Sequence, residues 1–221
     1  MTYRLHYSPG ACSLAVHIVL EEIGAPYTLA PAVIAQGATQ SPAFLAVNPK
    51  GRVPALQVEG EARVLTELPA IMAYLVRRHP EAGLAPADPL GEARCHEWLS
   101  WLAGWVHGMG WTELWRPHRF IGEPDQHDAI MRNGRRIIDE SAREIDTKLA
   151  AGSGYAVGER FSIADPYLLA IHRWGVRIGI DMAGLYPASH AHALRLGERP
   201  AVQRALDQEG LTLMGVKLPP G

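Results

Sequence analysis

Residues Glu81 to Gly91 (EAGLAPADPLG) separate two stretches of chain that follow different periodicities. The run is rich in Pro, Gly and Ala, which punctuate regular structure, and it reads as a linker. Before it, strand-like runs alternate with helical patterns. After it, only helical spacing recurs. A chain of 221 residues is long enough for two small cores, because single cores stop growing at about 250–300 residues and domains centre on roughly half that. The expectation is a small α/β domain over 1–82, a linker over 83–91 and an all-helical domain over 92–221.

The first domain reads in the order β-α-β-α-β-β-α. Tyr3 to Tyr7 alternates as a strand, and Ser8-Pro9-Gly10 marks a turn. Leu14 to Ile23 has helical spacing and stops at Gly24. Tyr27 to Val33 is a strand that Pro26 and Pro31 limit to an edge or an irregular one. A short helix follows Ser41-Pro42 and ends near Asn48. Val53 to Val58, a turn at Glu59-Gly60-Glu61 and Ala62 to Leu65 form a hairpin. Thr66 opens a helix that runs to about Arg78. Later helices are expected over Glu92 to Val106, Gln126 to Leu149, Ser162 to Ile178, His190 to Arg195 and Ala201 to Glu209.

Composition removes several function classes. Lys and Arg total 21 against 23 acidic residues, a net charge of −2, so there is no basic surplus for nucleic acid. Apolar residues make up 48%, yet no run approaches the roughly 20 residues of a membrane helix. The opening MTYRLHYSPGAC shows no secretory signal. Two cysteines, Cys12 and Cys95, are too few for a disulfide framework. A soluble protein of the reducing cytoplasm is the expectation.

Few residues offer chemistry. Cys12 follows a strand and a Pro-Gly turn at the start of a helix. The free N–H groups and dipole there favour a thiolate, although a free cysteine is as often a small buried residue. Ser13 competes as a cap. Glu67 sits where a helix begins, either as a partner for an ammonium group or as a complement to the dipole. Val53-Pro54 joins a loop to a strand, and the bare sequence shows only that Val53 is extended. Trp98, Trp101 and Trp105 share a helix face and read as core. Trp111, Trp115 and Trp174 are harder to bury together and are candidates for a pocket wall. Gly108 to Pro124 also holds Arg116, His118 and Arg119, which suit either an anionic ligand or a solvated face. His6, His17, His172, His190 and His192 have no metal-ligand spacing, and no metal site is expected. Ser162 to Asp165 is a capping box that nucleates a buried helix.

Together these segments resemble the glutathione S-transferases, the bacterial beta class in particular. The resemblance is carried by YSPGACSL from Tyr7, NPKGRVPAL from Asn48, LTE ending at Glu67, EWLS from Glu97 with His107 beyond, RFSIAD from Arg160 with Arg173-Trp174, and ERP from Glu198. It implies a thioredoxin-like N-terminal domain with Val53-Pro54 cis. It implies that glutathione, as cosubstrate, meets Tyr7, the Val53 backbone and Pro54, Glu67 and the helix start at Leu68. Cys12 is then placed beside the glutathione sulfur, with His107 assisting across the cleft. Ser100 and Gly104 match positions that approach glutathione, in some members from a second subunit, so a homodimer is implied. Trp111, Trp115 and Trp174 are expected to hold a small apolar electrophile.

Four positions depart from the beta-class pattern. Leu68 stands in place of Ser, Ser100 in place of Asn and Gly108 in place of Lys, and no lysine lies within 32–46. Each removes a polar contact worth about 1 kcal/mol. The functional expectation is glutathione conjugation, with thiol–disulfide exchange through Cys12. The alternative is a non-catalytic ligand-binding or interaction module on the same fold.

Overall fold

A computed structural model describes residues 1–216. The positions 217–221 of the expected helical domain lie outside the described residues. The N-terminal unit is built from β1 (Tyr3–Tyr7), α1 (Ser13–Ile23), β2 (Tyr27–Pro31), α2 (Pro42–Val47), β3 (Ala55–Val58), β4 (Leu65–Thr66) and α3 (Leu68–Arg78). This is the expected order. The sheet runs β2-β1-β3-β4, with β1 parallel to β2 and the other pairs antiparallel. Its registers place Leu5 opposite Leu29 and Leu56. Together these elements make the thioredoxin-like layout.

The proline-flanked strand β2 is an edge strand, as read, and it stops at Pro31 rather than Val33. The return strand is shorter than expected. Glu61, Ala62 and Arg63 are exposed, and pairing is confined to Leu65–Thr66. Helix α1 starts without a side-chain cap and ends at Gly24 in the left-handed region, φ 64°. Every residue from Ser13 to Leu20 is buried. Up to Leu20 the helix has no solvent face because the sheet and α3 flank it within its own domain, and two later helices, Asp165–Arg177 and Pro200–Gln208, cover the rest.

The helical part comprises α4 (Pro89–Trp101), α5 (Thr112–Trp115), α6 (His127–Ala151), α7 (Asp165–Arg177), α8 (Met182–Leu185), α9 (Pro187–Gly197) and α10 (Pro200–Gln208). Between α4 and α5 the backbone stays helical but widens into a π-helical stretch, Leu102–Trp111. Here Gly110 faces Gly134 of α6. A Cβ on Gly134 would lie 2.7 Å from the Gly110 carbonyl oxygen, so this crossing needs glycine. The tryptophan stripe divides. Trp98 is buried, whereas Trp105 is 45% exposed, which corrects its reading as core. The widened helix turns Trp105 away from the face that α-helical spacing assigned to it.

The helical domain also carries a two-stranded ribbon, β5 (Leu211–Thr212) and β6 (Gly215–Val216), where only helix was expected. Such short strands leave no periodic signal. The Arg173 guanidinium fixes the ribbon by donating to the carbonyls of Thr212, Leu213 and Gly215. Both cysteines are free and buried. No helix among the described residues is long and apolar enough to cross a membrane.

Helix α7 begins at the capping segment. The fully buried Asp165 carboxylate accepts from the Ser162 N–H at 2.7 Å, the Ser162 hydroxyl at 2.9 Å and the Ala156 N–H at 2.8 Å, and it pairs with His192 at 2.8 Å. Removing it strands all of these in the core. Asp165→Ala is expected to cost about 3–5 kcal/mol, and Asp165→Asn less, measured as the shift in guanidinium unfolding midpoint. A shift below about 1 kcal/mol for the alanine variant would contradict the buried network.

Candidate functional site

The turn Ser8–Ala11 carries Cys12 to the end of the sheet. Ser13 Oγ accepts from the Ser8 N–H at 3.1 Å and donates to the Ser8 carbonyl at 3.3 Å, so Ser13 ties the turn rather than capping the helix. The ends of the Gly10 residue are held from the other domain. Its N–H donates to Glu209 Oε2 at 2.8 Å, and its carbonyl accepts from the Trp174 indole at 2.8 Å. Gly10 has φ 69°, which suits glycine.

Cys12 is buried, and its thiol donates to the Val53 carbonyl at 3.4 Å. The Val53-Pro54 bond is cis. Of the two readings of Cys12, the structure agrees with the small buried cysteine rather than the lowered thiol, because burial pushes the thiol up to about 12. Its own N–H, the Ser13 N–H and the Arg116 charge oppose this without prevailing.

His107 lies on the π-helical stretch. Its Nδ1 is 2.8 Å from the Tyr167 hydroxyl, and its ring meets the edge of Trp174 with centroids 4.8 Å apart. Burial first, then the charges of Arg116, Arg52 and Arg119, lower its pKa to about 4. The ring is therefore neutral near pH 7. Trp174 also packs at 5.5 Å on Trp111 and 5.4 Å on Trp115, which lie 4.8 Å from each other. The three tryptophans do come together. Trp111 and Trp174 are nevertheless buried core residues, which corrects the expectation that they resist joint burial, and only Trp115 shows a sizeable face.

The remaining expected residues are spread around this centre. Tyr7 is buried in the core beside the His17 ring. Glu67 adopts φ 68°, ψ 117°, a left-handed backbone that costs a non-glycine residue about 1–3 kcal/mol. Its exposed carboxylate is held by Lys50 Nζ at 2.6 Å, and Lys50 also reaches the Thr66 hydroxyl at 2.9 Å. Leu68 is buried at the first turn of α3, which has no side-chain cap. Ser100 and Gly104 are exposed. Two participants went unnoticed in the sequence. Glu209 and Tyr167 act over separations of 199 and 60 residues, and no local pattern marks either one. Among the described residues no cluster of three or more metal-ligating side chains is found.

Comparison with known proteins reads this geometry. Residues 10–78 match the N-terminal domain model of glutathione S-transferases, and residues 112–200 match the C-terminal domain model. The chain is 36% identical to a glutathione S-transferase of Escherichia coli O157:H7 over 94% of its length and 99% of the relative's. The chain belongs to the glutathione S-transferase family. The transferase is also 30% identical to a maleylacetoacetate isomerase of Pseudomonas aeruginosa, covering 88% of this chain and 97% of that one. Among solved structures it superposes on a Sulfitobacter glutathione transferase homologue with bound glutathione at TM-score 0.87 and 31% identity, covering 94% and 98% of the two chains. A bacterial beta-class enzyme of Sphingomonas chungbukensis matches at TM-score 0.81 and 36% identity, covering 95% and 100%. The beta-class resemblance is thus matched in structure as well as in motifs.

Two measurements follow from the shifted groups. Iodoacetamide labelling of Cys12 in the folded transferase, followed by mass spectrometry of its peptide, should be slow at pH 8 and rise steeply only towards the thiol's value of about 12. A midpoint near the ordinary thiol value, about 8.5, would count against it. For His107 the folded value of about 4 lies below the ordinary 6.5. The unfolded chain binds more protons between these values, so stability rises with pH there. The contribution is full above pH 6.5 and is lost as pH falls through about 4. The stability difference between wild type and His107→Gln should grow across that window and level off above it.

Proposed function

We propose that this transferase binds glutathione along the N-terminal domain and conjugates its sulfur to small electrophiles held beside Trp115. The observations that support this reading are the Cys12 thiol bonded to the Val53 carbonyl beside the cis Val53-Pro54 bond, and His107 packed on Trp174, whose indole holds Gly10 two residues before Cys12. The Val53 backbone, extended and next to the cis bond, suits the cysteinyl part of glutathione. Glu67 suits the glutamyl amine, which would take the place of Lys50. The uncapped start of α3 at Leu68 leaves backbone N–H groups for the glutamyl carboxylate. This helix start serves in place of the serine that Leu68 replaces.

The high pKa of Cys12 favours glutathione, not the protein, as the attacking nucleophile. In that reading the protonated Cys12 lies close to the glutathione sulfur. Neutral His107 offers its free ring nitrogen to the same sulfur, with Nδ1 engaged by Tyr167. The thiolate attacks an electrophilic carbon, the carbon–sulfur bond forms, and the leaving group departs with its bonding pair. Exchange through Cys12 is the secondary activity. Its thiolate attacks one sulfur of glutathione disulfide, the old S–S bond breaks, and glutathione leaves as a thiolate. The raised pKa makes this slow at neutral pH. Exposed Ser100 and Gly104 fit a face shared with a second copy, so we place the enzyme as a homodimer in the cytoplasm.

Isothermal titration with reduced glutathione tests the site. Glu67→Ala is expected to weaken binding by about tenfold or more, the value of a hydrogen bond to a charged group. Cys12→Ser should retain conjugation of 1-chloro-2,4-dinitrobenzene and lose disulfide exchange. Binding that is indifferent to Glu67, or conjugation abolished by Cys12→Ser, would overturn these roles.

A further inference from the structure

Three arginines, Arg52, Arg116 and Arg119, act on His107 of the candidate site, and none of them is paired with a carboxylate among the described residues. Arg52 directly precedes Val53, the residue that accepts the Cys12 thiol, and its own carbonyl is pinned by Asn48 Nδ2 at 2.6 Å. Arg116 directly follows Trp115, which packs on Trp174 at 5.4 Å. Its N–H closes α5 onto the Thr112 carbonyl at 2.8 Å, and the Arg119 N–H closes the next turn onto the Arg116 carbonyl at 3.0 Å. The backbone thus delivers two arginines from the helical domain and one from the cis-proline loop.

Their charges act on one another. Burial and then Arg52 lower the pKa of Arg116. Arg119 feels burial, then Arg116 and Arg52. All three act on His107, and Arg116 acts on Cys12. Like charges gathered this way, with Arg116 half-buried, destabilise one another unless an anion joins them. The fold supplies none. No ion pair among the described residues involves Arg52, Arg116 or Arg119. The nearby carboxylates are engaged elsewhere, Glu67 by Lys50 and Glu113 by Asn133 at 2.7 Å. Some other arginines are paired in place, as Arg199 with Glu22 and Arg204 with Glu21.

Aromatic surface accompanies the charge. Trp115 and Phe120 are 37% and 40% exposed, and they adjoin Arg116 and Arg119 in the chain. Guanidinium groups bind carboxylates in a two-pronged fashion and stack on aromatic planes. We propose that Arg116 and Arg119, with Arg52 of the cis-proline loop, form a subsite for the carboxylate of an acidic, aromatic or unsaturated electrophile. This deepens the transferase reading and rests on it for turnover, by naming the substrate class. The other source of the same chemistry is a carboxylate of glutathione itself. The helical-domain origin of Arg116 and Arg119 favours the electrophile, since the glutathione contacts proposed above lie in the N-terminal domain.

The test compares 4-chloro-3,5-dinitrobenzoate with its methyl ester. Glutathione sulfur attacks the ring carbon that bears chlorine, the C–S bond forms, and chloride leaves with the C–Cl bonding pair. The thiol proton passes to solvent. Each kcat/KM is divided by the uncatalysed rate with glutathione. Wild type is expected to favour the carboxylate by about tenfold or more, the worth of one charged hydrogen bond. Arg116→Gln should bring the ratio near one, and Arg116→Lys should restore part of it. A second arm needs no turnover. Quenching of tryptophan fluorescence by 3,5-dinitrobenzoate and by its methyl ester should show the same preference and the same loss in Arg116→Gln. No carboxylate preference in wild type overturns the subsite and leaves a solvated face. Equal loss for acid and ester with a raised glutathione KM also overturns it, by assigning the arginines to glutathione. Absence of any glutathione-dependent rate, with the quenching preference intact, sinks the transferase reading and leaves the anion subsite standing.

Discussion

The position of Cys12 depends on a single residue, Gly10, whose N–H and carbonyl are both gripped by side chains of the helical domain. Glu209 takes the N–H and also pairs at 2.9 Å with His17, a side chain with no exposure. Trp174 takes the carbonyl while its ring supports His107, Trp111 and Trp115. The neighbouring Arg173 anchors the ribbon beyond Glu209. A buried hydrogen-bonded pair of polar groups is strict about geometry, since neither partner tolerates losing the other. The turn that carries Cys12 is thus set by contacts across the domain boundary, and the two units act as one piece at this point.

The raised pKa of Cys12 follows from competing magnitudes. A helix N-terminus contributes about 0.3–1 kcal/mol at an exposed site, up to about 2 kcal/mol in partly buried geometry, and one pKa unit is about 1.4 kcal/mol. Burial moves the thiol from 9.0 to about 12, which exceeds what the dipole returns. Position at a helix start therefore does not by itself make a reactive cysteine. Here the same enclosure that silences the thiol also keeps His107 neutral. The charges that remain at the site are its arginines and the Lys50–Glu67 pair.

The two-part architecture was legible because it rests on local signals. Gly24 ends α1, Pro31 ends the edge strand β2, and the Ser162–Asp165 segment starts α7. Cys12, Val53-Pro54 and His107 could be named from motif resemblance; Cys12 bonds to Val53 beside a cis bond, and His107 packs on Trp174, which holds the Cys12 turn. Three things resisted reading. The π-helical stretch changes the register after Leu102, so a wheel drawn at about 3.6 residues per turn misplaces Trp105. The burial of Cys12 depends on tertiary enclosure and leaves no trace in its neighbours. Glu209 joins Gly10 across 199 residues, a distance at which a single sequence carries no pairing information.

The Lys50–Glu67 pair has a consequence for ionic strength. Both side chains are more than half exposed, so added salt weakens their attraction. A ligand that presents an ammonium group to Glu67 must displace an ammonium group already there. Salt then screens the departing contact and the arriving one alike, and the two effects largely cancel. Recognition at this corner becomes an exchange of like for like, decided by hydrogen-bond geometry and by the strained Glu67 backbone rather than by net charge. The released Lys50 is then free to follow whatever anion the ligand carries with it.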